Sequence, residues 1–95
     1  MTIQLSIIGP ARALRRFDAR AAWPRAMRHP VLWRCSPDRH EWEFGSDRPC
    51  VGWLTKVSRF HPELVFLLQY DDERRRIRGL IRAGSGMTEH LHLIY

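Results

Sequence analysis

The most constraining feature of this sequence is the segment from Phe44 to Tyr70, which contains an aromatic strand end, an amphipathic helix and an apolar strand. Asp47 is predicted to cap the helix, and Pro49 to lie in its first turn. The helical spacing predicts one buried stripe, formed by Val51, Leu54, Val57 and Phe60 or His61. Leu64 to Tyr70 is apolar on both faces, which is typical of a central strand. This segment therefore indicates a helix packed on a sheet.

The first third of the chain has a similar strand and helix. Thr2 to Ile8 alternates apolar and polar residues, which predicts a half-buried strand. Gly9-Pro10 ends that strand and opens a helix over Ala11 to Ala22, which stops before Pro24. Its inward stripe is predicted to be Leu14, Phe17 and Ala21.

Shorter patterns complete the order of elements. Val31 to Cys35 and His40 to Phe44 form a predicted hairpin around Ser36 to Arg39. Asp71 to Glu73 makes the next turn, Arg76 to Ala83 is a strand, and Glu89 to Tyr95 adds a last one. The order β-α-β-β-α-β plus a C-terminal hairpin predicts a single α+β domain over residues 1–95. Its fold is expected to be ferredoxin-like (split βαβ), with a mainly antiparallel sheet and two helices on one face. The predicted core is Ile3, Leu5, Ile7, Leu14, Phe17, Leu54, Val57, Phe60, Phe66 and Leu68.

About a third of the chain also resembles a known family. The matching residues are Phe44, Pro49, Trp53, Leu54, Val57, Ser58, Phe60, Pro62, Leu64, Phe66, Tyr70, Asp72 and Gly79. In this pattern the chain resembles the YubB-type ferredoxin-like domains, small proteins often carried by phages and plasmids. It departs from them before the helix, where Ser46-Asp47-Arg48-Pro49 replaces a Trp followed by a Pro pair. The resemblance implies a ferredoxin-like fold and a mobile genetic element as the setting, and it implies no activity.

The net charge and the two cysteines indicate what kinds of partner and which cellular compartment to expect. The formal net charge is +6, which favours acidic partners and nucleic acid. The apolar runs are too short to cross a bilayer, and residues 1–9 have no signal-peptide pattern, so a cytoplasmic protein is expected. Cys35 and Cys50 are accordingly predicted to be reduced, buried and bound to neither metal nor each other.

Candidate catalytic and metal-binding residues are few. His90 and His92 share one face of a strand, but no Cys-x-x-Cys spacing accompanies them, so no metal site is predicted. Cys50 near a helix start has the position of an activated thiol, and burial is the simpler interpretation. Asp71 to Glu73 precedes three arginines and is interpreted as a self-neutralising turn. No Gly-rich phosphate loop is present, and neither an enzyme nor a cofactor is expected.

Arginine supplies the remaining functional signal, with fifteen arginines against the single Lys56. The guanidinium fork suits phosphate and carboxylate, although a GC-rich genome gives the same bias without any selection on binding. Two groups are candidate binding residues: Arg12, Arg15, Arg16 and Arg20 on the first helix, and Arg74, Arg76, Arg78 and Arg82 on the last hairpin. The alternative is that the helix arginines are merely solvated and that Arg76, Arg78 and Arg82 pair with Glu41 and Glu43 across strands.

Two functions of different class follow from these residues. The first is a small basic binding protein without enzymatic activity, an accessory or inhibitor from a mobile element that engages an acidic protein partner through arginines. The second is a sequence-tolerant nucleic-acid-binding module, because a ferredoxin-like sheet with a bare face can stack bases on aromatic side chains. No nucleic-acid motif is present, so the acidic protein partner is favoured.

Overall fold

The structure is a computed structural model that describes residues 1–20 and 23–95. Within these ranges the two helices are α1 (Ala11–Arg20) and α2 (Val51–Phe60). The strands are β1 (Thr2–Ile8), β2 (Arg28–Ser36), β3 (Arg39–Gly45), β4 (Val65–Asp72), β5 (Ile77–Gly84) and β6 (Met87–Ile94). They form one sheet in the order β2-β3-β1-β4-β5-β6, and all neighbouring strands are antiparallel. The predicted α+β class, with two helices and an antiparallel sheet, is confirmed.

Both helices lie on the same face of the sheet, and the core fills the space between them. Alternation in β1 sends Ile3, Leu5 and Ile7 toward the helices, where all three are fully buried. The other predicted core residues that are fully or almost fully buried are Leu14, Phe17, Leu54, Phe66 and Leu68. Val57 is partly buried against this cluster. Ala21, assigned to the stripe of α1, and the predicted end of that helix at Ala22 lie outside the described residues.

Phe60 was predicted to be buried, and this is wrong, since its exposed fraction is 70%. The buried stripe of α2 runs through Leu54 and Ser58 instead. The Ser58 hydroxyl donates to the carbonyl of Thr55 and accepts the amide proton of Gly86, at 3.0 and 2.9 Å. A small residue here lets α2 lie close to the β5–β6 turn, and this turns Phe60 toward solvent. His61 packs on Phe17 in its place, with ring centroids 5.3 Å apart.

The start of α2 also differs from the prediction. The helix begins at Val51 after Cys50, which has a left-handed backbone (φ 60°, ψ 40°) and provides no side-chain cap. Pro49 therefore lies before the helix and not in its first turn. Asp47 does not cap it, because its carboxylate accepts a hydrogen bond from Arg28 at 2.9 Å. That contact lowers the pKa of Asp47 below its ordinary value.

The two cysteines have different surroundings, and only one matches the prediction of burial. Cys50 is buried, whereas Cys35 is exposed because it lies on β2, the last strand at one edge of the sheet. β2 itself begins at Arg28, three residues earlier than predicted, and its pairing with β3 shifts register twice. Because pairing at its start is irregular, alternation did not reveal the first three residues of β2.

Candidate binding surface

Four arginines form a row along the outer side of α1: Arg12, Arg15, Arg16 and Arg20. All four are exposed, whereas Ala13, Leu14 and Phe17 on the other side of the helix are buried. Arg12, Arg16 and Arg20 follow one another at four-residue spacing, so their stems stack along the helix. None of the four arginines forms an ion pair with any residue in the described ranges 1–20 and 23–95. We call these four residues the α1 row.

Most of the net charge of the protein lies on the two helices. α1 and α2 together contain six basic residues and one acidic residue, Asp18, so they contribute +5 of the total +6. The other two basic residues of this layer are Lys56 and Arg59 of α2, both exposed. Sequence reasoning omitted this pair, although both lie off the predicted buried stripe of α2. The basic surface therefore covers the helix side of the molecule.

One of the four hairpin candidates, Arg78, and the neighbouring Arg75 have close acidic partners, whereas Arg74, Arg76 and Arg82 form no ion pair with the described residues. Arg78 contacts the carboxylate of Asp71 at 3.2 Å and lies 4.8 Å from the ring centroid of Tyr95. Arg75 lies 3.7 Å from the carboxylate of Asp72. The Arg75 contact agrees with the self-neutralising turn predicted from residues 71–76, and the Arg78 contact adds an arginine outside that run.

The two predicted arginine groups do not converge. The α1 row lies on the helix side of the sheet, whereas Arg78 and Arg82 alternate with the inward-facing Gly79 and Ile81 and so project from the opposite face. Arg74 and Arg76 are exposed in the β4–β5 turn. A single flat ligand cannot cover α1 and this opposite face together, so the groups are two separate surfaces.

The cross-strand pairing of hairpin arginines with Glu41 and Glu43 is wrong. β3 is separated from β5 by β1 and β4, so these side chains are too far apart to pair. Glu41 instead contacts Arg39 at 2.8 Å and Arg34 at 3.7 Å, and only a tenth of its side chain is exposed. Two cations beside an almost buried carboxylate compensate its loss of hydration. Sequence reasoning missed this cluster because the hairpin was predicted without its register, and a register shift between Leu32 and Arg34 brings Arg34 opposite Glu41.

The helix-free face of the sheet is close to electrically neutral. The strand pairing puts five arginines on this face, Arg28, Arg34, Arg39, Arg78 and Arg82. It puts four acidic residues there as well, Glu41, Glu43, Asp71 and Glu89. Among the paired, described residues this face carries no aromatic side chain. Base stacking on an open sheet needs such side chains. Beyond the paired residues, Tyr95 lies against Arg78 and Asp71 on this face, so the nucleic-acid alternative has one aromatic ring at the β6 end of the face.

The residues considered for metal binding do not form a cluster of three ligands in the described part of the chain. His90 and His92 are neighbours on β6 with ring centroids 5.7 Å apart, and the Nε2 atom of His90 lies 2.6 Å from the hydroxyl of Tyr70. Burial raises the pKa of Tyr70. No group of three His, Cys, Asp or Glu side chains suited to a metal ion occurs among the described residues.

His61 reports the electrostatic effect of the α1 row. It packs beside Phe17 at the end of α2. Burial lowers the pKa of His61 below its ordinary value of 6.5, and the positive charges of Arg16 and Arg20 lower it further. The row thus acts on a group that is not its salt-bridge partner, as expected of uncompensated charges.

Comparison with protein-family models, with curated proteins and with solved structures finds no match to this chain. No helix in the described ranges is long and apolar enough to cross a membrane.

Proposed function

We propose that the protein is a small, non-enzymatic, cytoplasmic binding protein that engages an acidic protein partner through the α1 row. The observation that carries this proposal is that four exposed arginines on one short helix have no acidic partner among the described residues. Guanidinium groups bind carboxylates in a bidentate manner, and Arg is enriched at the anchor points of protein interfaces. The row is therefore available to an external anion.

The spacing of the α1 row fits an acidic helix. Arg12, Arg16 and Arg20 are four residues apart, so successive stems rise by about 6 Å along α1. A partner helix with Asp or Glu at every fourth position offers carboxylates with the same rise. Aligned side by side, the two helices form several ion pairs at once, and such a network is worth more than isolated surface pairs.

The finer fold assignment supports the same proposal. We infer a ferredoxin-like domain extended by a hairpin, because β2-β3-β1-β4 is the strand order expected for that fold, with α1 linking β1 to β2 and α2 linking β3 to β4. This inference and the resemblance to YubB-type domains favour a role as an accessory or inhibitor protein of a mobile element. Small proteins of that kind act by occupying a surface of a larger partner.

A matched pair of double variants tests the proposal. Arg16→Ala with Arg20→Ala removes two charges from the α1 row, and Arg78→Ala with Arg82→Ala removes two from the opposite face. The overall charge is the same in both variants, so general attraction of anions falls equally and only the position differs. A helical peptide with Glu at every fourth position is the probe, and its affinity is measured by titration calorimetry.

We expect the helix variant to lose about tenfold in affinity, or about 1.4 kcal/mol, and the hairpin variant less than about threefold. Equal losses in both variants would contradict the use of the α1 row. Duplex and single-stranded DNA are titrated in parallel at two salt concentrations. Tighter binding to DNA than to the peptide, with a steep salt dependence, would support nucleic acid as the partner instead.

A further inference from the structure

We propose that the β6 edge of the sheet is an interface with a second copy of this chain, in which the two β6 strands pair antiparallel across a two-fold axis. β6 is the last strand on its side of the sheet, and it pairs with β5 in an unbroken register from Ile77–Ile94 to Gly84–Met87. Its outer edge therefore presents a straight row of unpaired backbone groups. Such an edge is a template for another strand.

The opposite edge provides the contrast that makes β6 unusual. β2 contains Pro30, which has no amide proton, and two register shifts, and it carries Arg28 and Arg34. Proline, irregular pairing and charge are devices that keep edge strands from associating. Residues 87–95 contain no proline, Lys or Arg and one acidic residue, Glu89. One edge is protected against pairing and the other is not.

β6 exposes apolar side chains to solvent, although exposed edge strands usually carry charged ones. Leu91 is 72% exposed, Leu93 63% and Ile94 72%. On the helix-free face, Leu91 lies next to Leu80, which is also exposed. This apolar row ends at the edge, so a partner that continues the sheet must bring apolar residues to the same place.

The backbone pattern identifies which residues of β6 are available. The Tyr95 amide donates to the carbonyl of Arg76 at 2.8 Å, so the odd-numbered residues direct their backbone groups toward β5. Because these directions alternate, Thr88, His90, His92 and Ile94 direct theirs outward. Two copies can pair these four residues with each other about a two-fold axis at Leu91. Thr88 then faces Ile94 of the second copy, His90 faces His92, and about eight backbone hydrogen bonds form.

Charge and shape favour a second copy over an unrelated strand. About the axis at Leu91, the leucine of one copy faces the same leucine of the other. Leu80 then extends the cluster to four leucines across the join. The hairpin of β5 and β6 carries two arginines and one glutamate, so the charge near the axis is low although the whole chain is +6. The positive charge of the α1 row lies far from this interface, since α1 packs against β3 in the half of the sheet that ends at β2.

Sedimentation velocity at concentrations from about 1 µM to about 1 mM tests the proposal with a matched pair of variants. Leu91 and Val31 lie in the same cross-strand row of the helix-free face, at opposite edges of the sheet, and both are exposed. Leu91→Lys places two like charges opposite each other at the axis, whereas Val31→Lys adds the same charge at the protected edge. We expect a concentration-dependent dimer of about micromolar or weaker affinity, since the interface is small. Leu91→Lys should weaken it at least about tenfold and Val31→Lys less than about threefold.

His92→Pro provides a second, backbone-directed test. It removes an outward amide proton that β5 does not use, so the circular dichroism spectrum should remain that of the folded protein while the dimer is lost. A chain that stays monomeric at about 1 mM would overturn the proposal, and so would a dimer that tolerates both Leu91→Lys and His92→Pro. A monomer whose β6 amides become protected from hydrogen exchange only on addition of a synthetic peptide of residues 87–95 would show capture of an extended segment, and would also overturn it.

Discussion

The two arginine groups of this protein contain the same residue type in similar numbers, but their surroundings differ. The α1 row follows a helix in which Asp18 is the single acid, and that acid lies 3.4 Å from His40 rather than beside an arginine. At the hairpin, Arg78 and Arg75 contact Asp71 and Asp72, whereas Arg74, Arg76 and Arg82 form no ion pair with the described residues. A count of basic residues therefore overstates the hairpin as a binding surface. What matters is whether the fold already supplies each cation with a carboxylate.

The contrast between the two arginine groups requires both helices to pack on one face of the sheet. The largest expected effect is a loss of stability that tests this packing. Leu54 lies on the core-facing side of α2 and is fully buried, so Leu54→Ala should reduce the free energy of unfolding by about 2–5 kcal/mol through lost burial and a cavity. Phe60→Ala on the same helix is the matched control and should change it by less than about 0.5 kcal/mol, because Phe60 faces solvent. Chemical denaturation of both variants measures these values. Equal losses would contradict the orientation of α2.

The sequence alone predicted the elements and the class of fold, because strands and helices here alternate in clear hydrophobic periods. It predicted the β1 stripe of Ile3, Leu5 and Ile7 correctly, since alternation needs no tertiary knowledge. It failed at Phe60, where the choice between two adjacent stripes depends on Ser58 and its contact with Gly86. It failed at Asp47 as well, because the competing partner Arg28 lies 19 positions away in sequence.

The candidate binding surface could be predicted from the sequence only in part, because some of its features depend on how distant segments pack together. The exposure of the α1 row follows from helical spacing. The separation of the two groups onto opposite faces does not, because it depends on which alternate residues of β5 face the helices. Glu41 is a further example, since its contacts with Arg34 and Arg39 depend on the exact register of the β2–β3 hairpin.

Removing Asp71 and Asp72 should leave Arg75 and Arg78 without acidic partners, as the arginines of the α1 row are. Asp71→Asn with Asp72→Asn removes the carboxylates that contact Arg78 and Arg75. Binding of a polyanionic probe such as heparin should then strengthen by a few-fold, because each exposed pair contributes up to about 1 kcal/mol. Asp38→Asn with Glu63→Gln, which changes the charge equally at other sites, should strengthen it less. Elution from a heparin column against salt compares the variants, and equal shifts would mean that total charge alone controls binding.

The smallest expected effect concerns His61, which senses the α1 row directly. Because burial, Arg16 and Arg20 hold the pKa of His61 below 6.5, Arg16→Ala with Arg20→Ala should raise it, and Arg78→Ala with Arg82→Ala should not. NMR titration of the imidazole measures both. The sign for stability follows from proton binding: as pH falls below 6.5, the unfolded chain takes up a proton at His61 before the folded one does, so this residue makes the folded state less stable on acidification. That loss should be smaller in the Arg16 and Arg20 variant, where the folded pKa lies closer to 6.5. An anionic partner bound at the α1 row should raise the His61 pKa in the same direction, whereas one bound at the hairpin should leave it unchanged. A partner that binds without moving this titration does not use α1, and the difference between the two arginine groups would then have no part in recognition.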